Sequence, residues 1–255
     1  MSNQPIIQRK CLDQEAVAVG YCPVDAYIPP MADKNHKKPE HHGMNVSGLR
    51  RSATGFALDR DDLHVDPVVQ FEDWFSYACE TVPMDPNAAY LSTVDSENRA
   101  SSRTVLLKYF DEKGFVFFTN YESDKAAHIE NNPHVALLFF WSDAARQVKI
   151  RGKAERISVS ETLKYFVSRP RGSQIGAWVS AQSSVISSRS LLEIKFQEIK
   201  TKFRNKEIPL PSFWGGYRVV PYEIEFWQGR RNRLHDRFQY TRRDDGGWDI
   251  ARLAP

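Results

Sequence analysis

The chain has 255 residues, of which 41% are hydrophobic and 26% charged, the composition of an ordinary globular protein long enough for one large domain or two small ones. Its formal net charge of +3 is too small to argue for a nucleic acid or a membrane as partner. Three cysteines, Cys11, Cys22 and Cys79, fit neither a zinc site nor a disulfide framework. With no run approaching the ~18 apolar residues of a membrane helix and no basic-then-apolar leader, a reducing, cytosolic setting is expected.

Residues 1–47 read as a tail. The stretch "PPMADKNHKKPEHHG" mixes prolines and charges without apolar periodicity, so it has no face to bury. Folded structure is expected from near Leu63. Asp66 is placed to cap a helix with Pro67 at its first position, and Val68, Phe71, Phe75 and Ala78 recur at helical spacing.

Strands follow. "AAYLSTVD" is short and β-rich, and "SENR" reads as a turn. "SSRTVLLKYF" and "GFVFFTN" flank a hairpin signal at Asp111–Gly114. Ser123 is a candidate cap for a short helix ending at Asn131. "HVALLFFW" is apolar almost throughout, so both its faces are expected to be covered, and "RQVKIRGKAERI" reads as its neighbour.

Helices return with a capping box, Ser158 and Glu161, followed by Leu163 and Phe166. "SLLEIKFQEIKTKF" sets Leu192, Phe196, Ile199 and Phe203 at helical intervals. The chain closes on the strands "GGYRVVP", "EIEFWQG", "DRFQYTR" and "WDIARL", with Gly246 and Gly247 in the last hairpin turn. Antiparallel strands with interspersed helices predict an α+β protein built on a β-barrel.

Nucleotide-loop, zincin and serine-elbow motifs are missing from the sequence. The candidates for chemistry are single basic or hydroxyl residues beside element ends. Strand alternation puts Arg103, Val105 and Leu107 on one face and Thr104, Leu106 and Lys108 on the other. The two cations then serve two different anions or simply face solvent. Tyr165 and Arg169 share a helical face, and Ser173 follows near a new helix start. Such donors at helix ends suit a phosphate monoester, although from spacing alone an amphipathic surface helix with a loop is the favoured account.

The stretch "IEFWQGRRNRLHDR", Ile224 to Arg237, resembles the C-terminal signature of the pyridoxamine/pyridoxine 5′-phosphate oxidase family: an apolar residue, Glu225, Phe226 and Trp227, then Arg233, Leu234, His235, Asp236 and Arg237 after a fixed gap. "RTVLLK", "FFTN", "RQVKIRGKAER", "YFVSRPRGSQIGAWVSAQSS" and "PSFWGGYR" resemble the family in the same order, so the similarity covers roughly residues 48–255 as a single domain.

The resemblance implies an FMN-binding split β-barrel working as a homodimer with the flavin between subunits. The implied reaction oxidises pyridoxamine 5′-phosphate or pyridoxine 5′-phosphate to pyridoxal 5′-phosphate, with O2 reduced to hydrogen peroxide. Arg103 and Lys125 are then expected to hold the FMN phosphate, helped by Gln182 and Ser183. Thr104, Val105, Leu106, Leu107, Lys108, Phe118 and Thr119 are expected to line the flavin, and Gln147, Trp227 and Arg237 to reach it from the other side. Lys108, Tyr165, Arg169 and Ser173 are expected to bind the substrate phosphate, with Arg50 over the substrate. Arg233 and His235 are expected at the reacting carbon, sharing one face of an extended segment with Arg237, while Arg230 and Arg231 are expected to be solvent-exposed turn residues.

Two positions depart from the family pattern. Asp124 stands where an arginine usually precedes the lysine, which implies weaker FMN binding. The run Arg50, Arg51, Ser52, Ala53 keeps the first arginine of the usual Arg-Arg-Glu-Tyr but loses its tyrosine, a lid contact over the substrate. The competing reading is a non-catalytic split barrel that binds FMN or pyridoxal 5′-phosphate.

Overall fold

A computed structural model describes residues 56–180, 182–184 and 186–255. They form eight strands: β1 (Ala88–Val94), β2 (Ala100–Asp111), β3 (Gly114–Asn120), β4 (His134–Trp141), β5 (Arg146–Arg156), β6 (Trp214–Gln228), β7 (Asp236–Arg242) and β8 (Trp248–Arg252). The helices are α1 (Pro67–Thr81), α2 (Asp124–Asn131), α3 (Val159–Ser168), α4 (Arg171–Val179) and α5 (Arg189–Lys202). No helix among the described residues is long and apolar enough to cross a membrane.

The strands run in the order β3-β2-β1-β4-β5-β6-β7-β8, and β3 also pairs with β6. That pairing closes six antiparallel strands into a barrel, which removes their free edges, while β7 and β8 extend the sheet beyond it. Strand β6 makes closure possible. Its first half pairs with β3 and its second half with β7, while β5 runs along both. The sequence suggested two strands here, split at Pro221. The structure keeps one, because Pro221 falls at a register shift opposite Gly152, where its missing N–H is tolerated. A side chain at Gly152 would meet the Val220 carbonyl at 2.4 Å.

Helix α1 starts as expected: the Asp66 carboxylate accepts the Val68 N–H at 2.8 Å, with Pro67 behind it. Its apolar stripe packs on rings from the barrel. Phe71 meets Phe110 and Phe115 edge-on at 4.9 Å and Phe139 at 5.1 Å, and Trp74 meets Phe226 at 5.2 Å. A second core forms where α3, α4 and α5 cover one side of the barrel. There Phe166, Ile175, Phe203 and Trp214 pack together against Phe118 and Tyr165. The capping box of Ser158 and Glu161 is present and fixes the start of α3.

Three local expectations change. Strand β4 alternates rather than being covered on both faces, and Phe140 is 52% exposed on its outer side. On that side Ala136 and Leu138 are half-buried and His134 is exposed with Phe140, so the described residues cover this face only in part. Ser123 precedes α2 without capping it through its side chain; its hydroxyl instead donates to the Asn120 carbonyl at 2.7 Å. Cys79 is disulfide-bonded, against the expectation from the cysteine spacing.

Phe71 is fully buried among these rings. Phe71→Ala should therefore cost about 3–5 kcal/mol, measured by chemical denaturation; an unchanged midpoint would contradict this packing.

Candidate functional site

Two cations meet at the ends of β2 and β3. Strand β2 alternates as the sequence indicated, with Val105 and Leu107 buried and Thr104, Leu106 and Lys108 exposed. Arg103 lies on the inward face, where Nη1 donates to the Thr93 hydroxyl (2.7 Å) and the Leu91 carbonyl (3.2 Å), and Nη2 to the Ser101 hydroxyl (2.7 Å). Lys125, in the first turn of α2, is only 8% exposed. Its Nζ donates to Gln182 Oε1 (2.7 Å), Thr119 Oγ1 (3.2 Å) and Ser123 Oγ (3.2 Å). Thr119 also donates to Gln182 Oε1 at 2.9 Å.

Every one of these partners is neutral. Burial, and next the charge of Arg103, push the Lys125 ammonium down to about 8, against the pull of Asp124. Burial likewise lowers the Arg103 guanidinium, again opposed by Asp124. Ser183, in the left-handed region at φ 70°, accepts the Asp124 backbone N–H at 3.3 Å. The cradle thus holds two desolvated cations, neutral oxygens that accept from them and one flanking acid, and among the described residues neither cation hydrogen-bonds a carboxylate.

A cavity of about 290 Å³ opens beside it, lined by Leu106, Lys108, Thr119, Tyr165, Arg169, Gln182 and other residues of α4 and β6. Thr119 and Gln182 therefore belong to both the cradle and the cavity wall. The Tyr165 ring stacks on Phe118 with centroids 4.0 Å apart, and the Arg169 guanidinium lies 4.6 Å over Trp214. Arg169 Nη1 is buried without a hydrogen-bond partner, and burial lowers its guanidinium. A buried cationic donor with an open valence needs an acceptor. Ser173 is exposed on α4 and does not line this cavity.

A third group lies on β5, β6 and β7. Gln147, Trp227 and Arg237 are successive cross-strand partners, so they form one row on one face. His235 packs its ring 4.6 Å from Trp227. Arg233 corrects the sequence reading. It does not share an extended face with His235 and Arg237, because Arg231–Arg233 form a 3-10 turn in which Asn232 and Arg233 have positive φ. Arg233 is exposed there. Arg230 is also not a bystander: it is half-buried, its side chain lies 3.5 Å from Asp236, and its backbone N–H donates to His235 Nδ1 at 3.0 Å. Arg50 and Ala53 lie outside the described residues.

Among the described residues, no hydrogen bond or ion pair joins the Gln147–Trp227–Arg237 row to the Arg103–Lys125 cradle. The sequence reading missed Thr93, which accepts from Arg103 and is backed by His128 Nδ1 at 3.0 Å. It missed Trp214, the platform under Arg169, although "PSFWGGYR" contains it. It also left Glu225 without a task.

A closed six-stranded antiparallel barrel with flanking helices, carrying two cations between strand ends and a helix start, defines a split-barrel protein. The comparisons narrow this class. Residues 76–203 match the family model described as pyridoxamine 5′-phosphate oxidase, and residues 214–255 match pyridoxine 5′-phosphate oxidase C-terminal dimerisation region. A pyridoxine/pyridoxamine 5′-phosphate oxidase of Rippkaea orientalis is 63% identical, covering 83% of this chain and all of that protein. One from Escherichia coli is 57% identical, covering 82% of this chain and 96% of that protein. The solved structure of PhzG from Burkholderia lata, in complex with tetrahydrophenazine-1-carboxylic acid, superposes with a TM-score of 0.74 at 28% identity, covering 80% of this chain and all of that one. A pyridoxamine 5′-phosphate oxidase-related, FMN-binding protein of Nostoc punctiforme shares the fold, with a TM-score of 0.61 at 15% identity, over 76% of this chain and all of that one. The chain belongs to the pyridoxine/pyridoxamine 5′-phosphate oxidase family.

Because Nδ1 of His235 accepts a backbone N–H, the neutral ring carries its proton on Nε2. Nitrogen-15 NMR of histidine-labelled protein should show an unprotonated Nδ1 for His235 in the neutral ring; a proton on Nδ1 would contradict the geometry.

Proposed function

We propose that this chain is an FMN-dependent oxidase that converts pyridoxamine 5′-phosphate or pyridoxine 5′-phosphate to pyridoxal 5′-phosphate, with O2 reduced to hydrogen peroxide. The observation that carries the reading is the pairing of Arg103 and buried Lys125 with neutral partners alone. Such a site is completed by a dianion, and the FMN phosphate fits it. FMN supplies the hydride acceptor and passes the electrons to O2.

In this reading Lys125 and Arg103 bind the FMN phosphate, with Gln182 and Ser183 as neutral donors, and Thr119 lines the flavin. The backbone of 104–107, with Lys108 and Phe118, lines the flavin. Lys108, Tyr165 and Arg169 hold the substrate phosphate in the adjoining cavity, where the orphaned Arg169 Nη1 would gain its acceptor. Ser173 joins them only at the rim, from its exposed position on α4. Two separated cation sets suit the two phosphates. Arg50 covers the substrate.

Gln147, Trp227 and Arg237 reach FMN from a second copy of the chain. Two observations support the homodimer, the half-exposed outer face of β4 and the match to a dimerisation region, and in this reading FMN lies at its interface. A cytoplasmic setting belongs to the same reading. Arg233 and His235 act at the reacting carbon. Arg233, on its exposed turn, supplies positive charge to the substrate ring. His235 presents Nε2–H as a donor, so in its neutral form it orients the substrate and is not the base on that side.

A non-catalytic FMN binder is the second reading. The charge of Asp124, which acts on both cations of the cradle, favours it. Peroxide release with pyridoxamine 5′-phosphate decides between them. The FMN-loaded protein should turn over, and the Arg233→Ala, His235→Ala double variant should lose at least about a hundredfold in kcat/KM. FMN binding without turnover would establish the second reading.

The cradle also predicts a pH dependence. FMN binding needs the charged ammonium, and Lys125 loses its proton near 8 when no phosphate is bound. The bound phosphate raises that value, so binding takes up a proton above 8. Affinity should be flat between pH 7 and 8, where the phosphate is already the dianion, and fall by up to about tenfold per pH unit above 8. Fluorescence titration of FMN measures this. A pH-independent affinity from 7 to 10 would contradict the role of Lys125. Asp124→Asn should strengthen binding about two- to tenfold, and weaker binding would show that Asp124 supports the site.

A further inference from the structure

Glu225 is 3% exposed on the outer face of β6, where a carboxylate needs strong compensation. It receives two cations. Lys149, its cross-strand partner on β5, donates to Oε2, and Arg237, diagonal to it on β7, donates from Nε to Oε1 at 2.8 Å. Burial would raise the Glu225 carboxyl, but the hydrogen bonds from Arg237 and Lys149 outweigh it and hold it below its ordinary value. Two cations on one carboxylate leave the group with a net positive charge.

The Arg237 guanidinium is fixed at a second point. Its Nη1 donates to the Ala254 carbonyl at 2.6 Å, and the Arg237 carbonyl accepts the Leu253 N–H at 2.9 Å. Nε and Nη1 are therefore both committed to protein acceptors, and Nη2 has no hydrogen-bond partner among the described residues. A planar guanidinium held at two nitrogens has its third direction set. The geometry points to Glu225 and the Ala254 carbonyl as positioning groups that aim Arg237 Nη2 at the flavin. The C-terminal residues thereby become part of the cofactor site. This inference rests on the assignment of Arg237 to FMN made above.

Charge and position predict opposite signs. Glu225→Gln removes a negative charge, so by charge alone it would tighten an anionic ligand and favour the reduced, anionic flavin. If Glu225 aims Arg237, the same variant weakens FMN by about tenfold and moves the flavin midpoint potential to more negative values. A purely structural Glu225 would lower the melting temperature and leave both readouts of the folded protein unchanged.

The test is FMN titration and flavin potentiometry on the full chain, Glu225→Gln, Arg237→Gln and the double variant. The expected result is weaker FMN and a lower potential in each single variant, with Glu225→Gln adding less than about twofold on Arg237→Gln. Weakening by Arg237→Gln but not by Glu225→Gln overturns the positioning role alone. No effect of Arg237→Gln overturns the assignment of Arg237 to FMN, and the positioning role with it. Removal of residues 254 and 255 leaves the buried carboxylate in place and should shift both readouts in the same direction. If Glu225→Gln does not fold, that truncation decides: a shift supports the inference, and unchanged values overturn it.

Discussion

The proposed site depends on a buried ammonium whose hydrogen-bond partners among the described residues are all neutral. Lys125 sits at the start of α2 with three neutral oxygens as its hydrogen-bond partners, and Arg103 stands nearby with neutral partners of its own. Desolvating two like charges is unfavourable, and the lowered Lys125 value near 8 expresses that cost. A phosphate dianion reverses the sign of the arrangement. In the proposed FMN site, binding strength would therefore originate in the charge of these two desolvated cations. Asp124 offsets part of it from outside.

The fold exists to hold such groups at fixed separation. Closure of the barrel through β6 ties together β3, which brings Thr119 to the cradle, and β5 and β7, which bring Gln147 and Arg237 to the opposite row. The second core of α3, α4 and α5 stacks Tyr165 on Phe118 and seats Arg169 over Trp214, so packed rings back the wall of the cavity proposed for the substrate phosphate. Sites built on packed strands and rings keep their geometry better than sites on loops. The exception is the turn at Arg231–Arg233, whose two positive-φ residues present Arg233 to the outside.

Much of this was legible in the sequence wherever a short-range rule applied. The alternation of β2 separated Arg103 from Lys108, the Asp66–Pro67 start placed α1, and the capping box placed α3. The ordered motifs supplied the family. What escaped were features set by distant partners. Gln182 reaches Thr119 across 63 residues, and no local pattern announces that contact. The continuity of β6 through Pro221 depends on a register shift against β5. The turn at Arg233 broke the alternation assumed for 233, 235 and 237, because a positive φ at an arginine leaves no signature in sequence. The outer face of β4 looked buried in the sequence because an apolar run does not tell which side is covered, and Phe140 stays half exposed among the described residues.

The central claim is that Lys125 and Arg103 read the phosphate of FMN. The most direct test compares FMN with riboflavin, which has the same ring and no phosphate, in titrations of the native chain and of Lys125→Met. The account predicts a preference for FMN of at least about a hundredfold in the native chain, shrinking by about tenfold or more in the variant while riboflavin affinity stays the same. An unchanged preference in Lys125→Met would contradict it, and the phosphate would then have to be bound elsewhere.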